Sequence, residues 1–219
     1  MTAFVGNTRY RTMVNGNRVN FVTTKLLPYD AEIEYLQGTG TQYIDTGYKP
    51  KDNTELQINY VVTKLHSRLA NPLTPYGCRV GWLNKQYCIF SPANKVNECH
   101  ISYGDVDERL DGVTVLNQDI TVYANSNVVT LGSITKSFQT GNLPNLNIFL
   151  FGLNNNGSLF SVNGFELNIK SFWIKENGTF VLNMVPVRKG TVGYLYDKVS
   201  GTLFGNEGTG SFTLGPDKN

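Results

Sequence analysis

The sequence has few charged residues and almost no excess of either sign. Charged side chains make up 16% of its 219 residues, and 19 Lys and Arg against 17 Asp and Glu leave a net charge of +2. It has no long basic run and no stripe of alternating basic and aromatic residues, so the electrostatic footprint of a nucleic-acid-binding protein is missing. We therefore expect no nucleic-acid partner.

Long apolar stretches are also missing. The first residues, MTAFVGNTRYRT, lack the apolar core of a secretory signal peptide. No run approaches the roughly 20 apolar residues that a membrane-spanning helix needs. We therefore expect no membrane partner and synthesis in a cytoplasm.

Cysteine is scarce, with only Cys78, Cys88 and Cys99 in the chain. Three thiols cannot all pair, and their spacing matches neither a zinc knuckle nor a CxxC motif, so we expect no metal site. The spacing allows one bridge, Cys78–Cys88 or Cys88–Cys99. It favours buried free thiols, because an unpaired cysteine is usually a buried residue.

The residues that are abundant favour β-structure. The chain has 12 Tyr, 12 Phe, 2 Trp and 22 Gly, and short alternating apolar runs are separated by Asn and Gly. Strands with turns at roughly 8 to 12 residue spacing are typical of a sandwich. A core of this size needs no metal, cofactor or disulfide. We predict an all-β fold, a two-sheet antiparallel β-sandwich.

The C-terminal third gives the clearest pattern. Two strand-like runs, 169–175 and 179–185, flank Asn177-Gly178, a dipeptide that tolerates the positive φ angles of a tight hairpin. Two more runs, 193–198 and 202–204, flank Val199-Ser200-Gly201. These segments predict a β-meander.

A second hairpin is predicted near the N-terminus. Runs 8–14 and 17–23 flank Asn15-Gly16, with Tyr10 and Val14 on one strand facing Val19 and Phe21 on the other. A lone two-stranded hairpin is marginal in water, so it either extends the main sheet or is an arm that attaches the protein to a larger assembly. We assign residues 1–30 to this arm and 31–219 to the sandwich body.

The middle of the chain yields further expectations. The run 54–63 predicts a half-buried strand, 147–153 a strand buried on both faces, and 133–139 either a strand or a helical turn. Strands are also expected at 98–103, 113–116, 120–124 and 128–131. A hairpin is expected from 76–82 and 86–90 through a turn at 83–85. We expect a surface loop at 65–75, a solvated turn at 104–112 and a wide turn at 154–157.

No catalytic motif emerges from the sequence. A retaining glycoside hydrolase needs two carboxylates about 5 to 5.5 Å apart, and the nearest candidates are Glu32 with Glu34 and Asp105 with Asp107. The first pair is expected to face solvent, and the second lies in the predicted turn.

The sequence also has no motif for a catalytic nucleophile, a phosphate loop or a calcium loop. His66 and His100 have no nucleophile motif beside them, and no glycine-rich run ends in the Lys-Ser or Lys-Thr of a phosphate loop. Asp105, Asp107 and Asp111 resemble a calcium loop only in outline, without EF-hand spacing. We expect no enzymatic activity and no catalytic, cofactor or metal site.

Two aromatic groups are candidate binding surfaces. Trp82, Tyr76 and Tyr87 cluster in one predicted hairpin and would form a sugar-binding platform if exposed, or fill the core if buried. Trp173 alternates with Phe172, so a buried Phe172 directs Trp173 outward. There it packs under another strand or touches a partner, and we expect a subunit interface.

Four blocks of sequence carry a resemblance. They are EYLQGTGTQYIDTGY (34–48), LFGLNNNGS (150–158), IKSFWIKENGTFVLNMVPV (169–187) and LYDKVSGTLFGNEGTGSF (195–212). In this order they resemble the laminin-G-like or concanavalin-like jelly-roll module of gut bacteriophages, prophages and some bacterial surface proteins. The resemblance implies a two-sheet sandwich.

The resemblance also implies a function. It implies a virion protein of a head fibre, head decoration or tail, with capsid or tail proteins as partners. A homo-oligomer, preferably a trimer, and a host surface glycan are further expected partners. The alternatives are a carbohydrate-binding lectin domain of a bacterial surface protein and, less favoured, a glycan hydrolase.

Overall fold

The computed structural model describes residues 4–14, 17–65, 72–92, 98–111, 116–160 and 165–218, and for residues 4–25 the backbone alone. Every regular element in these ranges is a β-strand. Within them there is no helix long and apolar enough to cross a bilayer.

The smaller body sheet has eight strands. In chain order they are β5 (Ile44–Asp45), β7 (Pro72–Gly81), β8 (Asn84–Pro92), β9 (Glu98–Gly104), β10 (Val106–Asp111), β14 (Phe149–Leu150), β15 (Leu153–Asn155) and β16 (Ser158–Phe160). The spatial order is β10-β9-β8-β7-β14-β5, and β15 joins β7 and β16. The β15–β7 pair is parallel.

The larger body sheet has eleven strands. They are β3 (Ala31–Glu32), β4 (Leu36–Gly38), β6 (Thr54–Lys64), β11 (Asp119–Asn125), β12 (Val128–Leu131), β13 (Ile134–Ser137), β17 (Glu166–Glu176), β18 (Thr179–Lys189), β19 (Val192–Asp197), β20 (Leu203–Phe204) and β21 (Thr213–Leu214). The spatial order is β13-β12-β11-β6-β17-β18-β19-β20, and β3, β4 and β21 lie off this path.

The two sheets pack face to face as a β-sandwich, which confirms the predicted fold class. Alternation along each strand supplies the core, as in β6, where Leu56, Ile58 and Tyr60 are buried and the residues between them are half-buried. One continuous apolar cluster joins these side chains to Ile89 and Ile101 of the opposite sheet.

The predicted C-terminal meander is confirmed, since β17, β18, β19 and β20 are neighbours in chain order. Asn177 and Gly178 have φ angles of 50° and 75°, as a two-residue hairpin turn between right-twisted strands requires. The turn after β19 is organised by Asp197, a fully buried residue. Its carboxylate accepts hydrogen bonds from the backbone N–H groups of Asn183 (2.8 Å) and Ser200 (2.9 Å) and from the Ser200 hydroxyl (2.6 Å).

Two of the recognised sequence blocks pack against each other. The Thr209 N–H donates to the Thr41 carbonyl (2.9 Å), and the Glu207 N–H donates to the Tyr43 carbonyl (2.9 Å). A Cβ atom at Gly208 would lie 2.1 Å from the Thr41 oxygen, so only glycine allows this approach. Backbone hydrogen bonds therefore join the block 34–48 to the block 195–212.

The N-terminal hairpin forms as predicted from β1 (Phe4–Val14) and β2 (Asn17–Leu26). Their register pairs Tyr10 with Phe21 and Thr12 with Val19. The two strands make a sheet of their own, and neither is hydrogen-bonded to a described strand of the body sheets. The division of the chain near residue 30 stays a prediction.

The surface loop expected at 65–75 is wrong in its second half, while 66–71 lie outside the described residues. β7 begins at Pro72, and Leu73, Thr74 and Pro75 are buried. The pairing of β7 with β8 is irregular between Leu73 and Tyr76, so the proline lies where the regular ladder is interrupted.

The solvated turn expected at 104–112 is also wrong. Among the described residues 104–111, only Gly104 and Asp105 turn, and residues 106–111 form β10, paired with β9; residue 112 lies outside the described residues. Asp107 and Arg109 of this strand pair with charged groups of β9, as described below, so an acidic segment is stable as a strand.

Residues 148–153 of the apolar run 147–153 are buried, but the run is not one strand. β14 runs antiparallel to β7 and β15 runs parallel to it, so the chain reverses between them at Phe151, where φ is 65°. The next turn is tighter than predicted, because only Asn156 and Gly157 separate β15 from β16.

Three smaller expectations are settled by the structure. The β7–β8 hairpin turns at Trp82 and Leu83, one residue earlier than the predicted turn at 83–85. The ambiguous segment 133–139 contains strand β13. The predicted strands at 98–103, 120–124 and 128–131 are confirmed, whereas most of the one expected at 113–116 lies outside the described residues.

Candidate ligand-binding face

Trp173 lies on the outer face of the larger sheet, as its alternation with Phe172 predicts. Phe172 and Ile174, its neighbours in β17, are fully buried on the core side. Trp173 therefore points away from the core, and its side chain is half-buried among other outward residues.

A row of outward residues crosses four strands at Trp173. The register pairs Trp173 with Gln57 of β6 and with Asn183 of β18, and Gln57 in turn pairs with Tyr123 of β11. The Tyr123 and Trp173 rings reach across Gln57, with centroids 6.0 Å apart and an interplanar angle of 56°. Two aromatic rings are thus interleaved with two side-chain amides.

A third ring reaches this face through an irregularity in the β17–β18 ladder. Ile174 pairs with Leu182, but Lys175 pairs with Phe180, so Val181 is the extra residue of a β-bulge. Simple alternation from buried Leu182 would turn Phe180 toward the core. The bulge reverses its direction, and Phe180 is 41% exposed and meets Trp173 edge-on at 5.9 Å and 88°.

Lys175 completes the group, which we call the Trp173 cluster: Tyr123, Trp173, Lys175 and Phe180. The Lys175 ammonium lies 4.9 Å from the Trp173 ring centroid and 4.5 Å from that of Phe180. At exposed sites each such contact is worth about 0.5–1 kcal/mol, and an aromatic pair contributes about 0.5–1.5 kcal/mol. The ring orientations are therefore held before any ligand arrives.

This arrangement suits recognition of a sugar. Perpendicular rings offer apolar surface to sugar C–H groups, and the amides of Gln57 and Asn183 can donate to and accept from hydroxyl groups. The surface is a sheet face and not a cavity. A cleft elsewhere, between Val192 and Phe212, holds only about 150 Å³, below the roughly 300 Å³ at which ligand pockets begin.

The platform expected from Trp82, Tyr76 and Tyr87 is not assembled. Tyr76 and Tyr87 are buried in the core with ring centroids 6.1 Å apart, whereas Trp82 is 55% exposed at the tip of the β7–β8 hairpin. Trp82 meets Phe90 edge-on at 5.7 Å, and the Arg79 guanidinium lies 5.8 Å from its ring. Core filling accounts for the two tyrosines, and Trp82 remains a lone exposed ring.

Three of the four carboxylates considered for glycan hydrolysis, those of Glu32, Asp105 and Asp107, have partners of their own. Glu32 accepts a hydrogen bond from the Tyr29 hydroxyl (3.3 Å) and lies 3.2 Å from the Lys198 ammonium. Asp107 is bonded to His100 and Ser102, and Asp105 accepts from the Lys85 N–H at 3.0 Å. Across the described part of the chain, no three His, Cys, Asp or Glu side chains are grouped so that they could hold a metal ion.

The other predicted residues are also accounted for. Cys78, Cys88 and Cys99 are buried thiols, as favoured from the sequence. Burial raises the pKa of Cys88 to about 12 and raises that of Cys78 well above its ordinary value, so neither is a reactive thiolate at neutral pH. The arm residues Tyr10, Val14, Val19 and Phe21 lie in β1 and β2. His66 lies outside the described residues.

Sequence reasoning missed Tyr123, Phe180 and Lys175. Tyr123 had a usable signal, because it alternates with buried Val122 and Ala124 in a predicted strand. Phe180 had none, because the bulge that turns it outward depends on the pairing of β17 with β18.

No family model matches the chain, and no curated protein shows a significant match to it.

Proposed function

We propose that the chain is a non-catalytic adhesion protein of a bacteriophage virion, attached through its N-terminal hairpin and binding a host surface glycan through the Trp173 cluster. The observation that carries the adhesive role is the cluster itself. Three rings and one lysine are held on an outer sheet face beside the amides of Gln57 and Asn183.

The bulge at Val181 strengthens this proposal. Irregularities in a sheet often redirect a side chain at a functional site. Here the result is a large apolar ring at the surface, where Phe180 and Val181 are 41% and 37% exposed. Surface aromatics that fill no core supply the apolar half of a sugar site.

A glycan array tests the adhesive role. The wild-type chain should bind a subset of bacterial surface glycans, and Trp173→Ala should lower that binding by about tenfold or more, as truncation of a central aromatic residue does at binding sites. Trp82→Ala is the matched control, because Trp82 is an exposed tryptophan at the hairpin tip of the other sheet. Equal binding by wild type and Trp173→Ala would overturn the proposal, and so would a blank array.

The hairpin supports the attachment role. A two-stranded sheet that pairs with neither body sheet is marginal on its own and gains stability by packing on another protein or on a copy of itself. Deletion of residues 1–27 should leave the body folded and abolish incorporation into the virion. Undiminished incorporation of the shortened chain, together with a monomeric full-length chain at high concentration, would contradict this role.

A second use of the Trp173 cluster is a subunit interface, the use that the sequence favours for Trp173. The exposed apolar side chains of Phe180 and Val181 favour it, since burial of such a patch stabilises oligomers. Sedimentation velocity separates the two uses. An interface predicts that Trp173→Ala dissociates the oligomer, whereas a glycan site predicts an unchanged sedimentation coefficient with lost glycan binding.

A further inference from the structure

On the outer face of the smaller sheet, His100 lies between two carboxylates. Its Nδ1 is 2.8 Å from Asp107 Oδ2, and its Nε2 is 3.1 Å from Glu98 Oε1. A neutral imidazole carries a single N–H, so one of these contacts would set a nitrogen lone pair against a carboxylate oxygen. Both contacts are hydrogen bonds only when His100 is an imidazolium.

The neighbouring side chains fit the protonated state. Ser102 donates to Asp107 Oδ1 at 2.6 Å, and Arg109 Nη2 lies 3.0 Å from Glu98 Oε2. Charges therefore alternate along the two paired strands, in the order Asp111, Arg109, Glu98, His100, Asp107. A neutral His100 would leave two adjacent carboxylates with one donor fewer between them.

The groups that face His100 from the other described strands do not replace its proton. From β8, Phe90 stacks on the imidazole at 4.6 Å and 11°, and Cys88 contributes a buried thiol. From β7, Arg79 interacts electrostatically with Asp107, but its guanidinium hydrogen-bonds to Asn155 Oδ1 at 2.8 Å.

The position of β10 gives this cluster a mechanical consequence. β10 is the last strand at its end of the smaller sheet, and in the described structure it pairs with β9 alone. In the described structure, side-chain bonds from His100 and Ser102 to Asp107 and from Arg109 to Glu98 join the two strands. Deprotonation leaves His100 one N–H for two carboxylates and removes the positive charge that faces Asp107, so it weakens the attachment of an edge strand that has no second neighbour among the described strands.

We propose that His100 is a proton-dependent clasp: while protonated it fixes edge strand β10 to β9, and its deprotonation loosens that strand. The strand edge of β9 would then be open to pairing with another chain. The proposal depends on the described contacts of β9 and β10 and not on the glycan-binding role.

The direction of the pH effect follows from linkage. The hydrogen bond to Asp107 raises the pKa of His100 above its ordinary value of 6.5, against the opposing effect of burial. A group whose pKa is higher in the folded state adds stability that is complete below its unfolded pKa and is lost as pH rises through its folded pKa. The clasp is therefore closed in mildly acidic solution and opens with rising pH.

Two measurements on the full chain test the clasp. In the wild-type chain, the NMR titration midpoint of the His100 ring protons should lie above 6.5, and Asp107→Asn should lower it. The hydrogen-exchange protection factors of the β10 amides should fall by about tenfold for each unit of the His100 pKa shift as pH rises through the midpoint, while those of β18 stay constant.

A stability comparison gives the control. Between about pH 6 and pH 9 the melting temperature of wild type should fall relative to His100→Gln, which retains the chain's other histidine and has no ionisable group at position 100. If the melting temperatures of the two chains changed equally with pH, the proposal would be overturned. A His100 midpoint at or below 6.5, or unchanged β10 protection across the titration, would do so without any variant.

Discussion

On the outer face of the larger sheet, Trp173, Phe180 and Lys175 contact one another and leave apolar ring surface exposed. On the outer face of the smaller sheet, His100 and Asp107 are nearly buried and their hydrogen bonds are satisfied within the cluster. The rings of the Trp173 cluster have surface that no other described group of the chain covers, whereas the polar atoms of His100 and Asp107 are hydrogen-bonded between two strands. An exposed apolar patch is typical of a binding surface. A polar network whose hydrogen bonds are all made is typical of a group that stabilises the fold.

The comparison first predicts a large difference in stability. Asp107→Ala removes the partner of both the His100 imidazolium and the Ser102 hydroxyl in a site where the Asp107 side chain is only 9% exposed. We expect a loss of about 3 kcal/mol in the free energy of unfolding at pH 6, measured by urea denaturation. Asp111→Ala is the control on the same strand. Its side chain is 73% exposed, so the loss should stay below about 0.5 kcal/mol.

The second prediction concerns Trp173. Trp173→Ala removes ring contacts with Tyr123 and Phe180 but opens no core cavity, so the unfolding free energy should fall by about 1.5 kcal/mol. Trp173→Phe should retain more than half of the stabilisation that Trp173→Ala removes. If Trp173→Ala were as destabilising as Asp107→Ala, the two faces would not differ in the way argued.

The smallest effect is expected at Lys175. Lys175→Met keeps the aliphatic stem and removes the ammonium from the Trp173 and Phe180 rings, at a cost of about 1 kcal/mol. High salt should reduce the difference between the two chains. A loss above about 1.5 kcal/mol would mean that the lysine fixes the positions of the rings in addition to making its own contacts with them.

Alternation and turn chemistry predicted much of the sandwich. Asn177-Gly178 marks a tight hairpin because both residues need positive φ, and Leu56, Ile58 and Tyr60 mark an inward face by period two. Both signals are local in sequence, so no tertiary information was needed. The same alternation placed Trp173 outside the core.

The failures come from contacts distant in sequence. Phe180 faces outward only because the β17–β18 pairing skips Val181. Residues 106–111 form a strand because Asp107 and Arg109 find partners on β9, whereas their composition alone favours a turn. Tyr76 and Trp82 belong to one hairpin yet differ in burial, because one lies under the opposite sheet and the other at the tip.

Fluorescence of single-tryptophan chains tests the binding role of the Trp173 cluster most directly, because the protein has only two tryptophans, Trp82 and Trp173. In the Trp82→Phe chain, a glycan that scores on the array should shift the emission of Trp173 and protect it from iodide quenching. In the Trp173→Phe chain, the same glycan should leave the emission of Trp82 unchanged. A response from Trp82 with none from Trp173 would contradict the account.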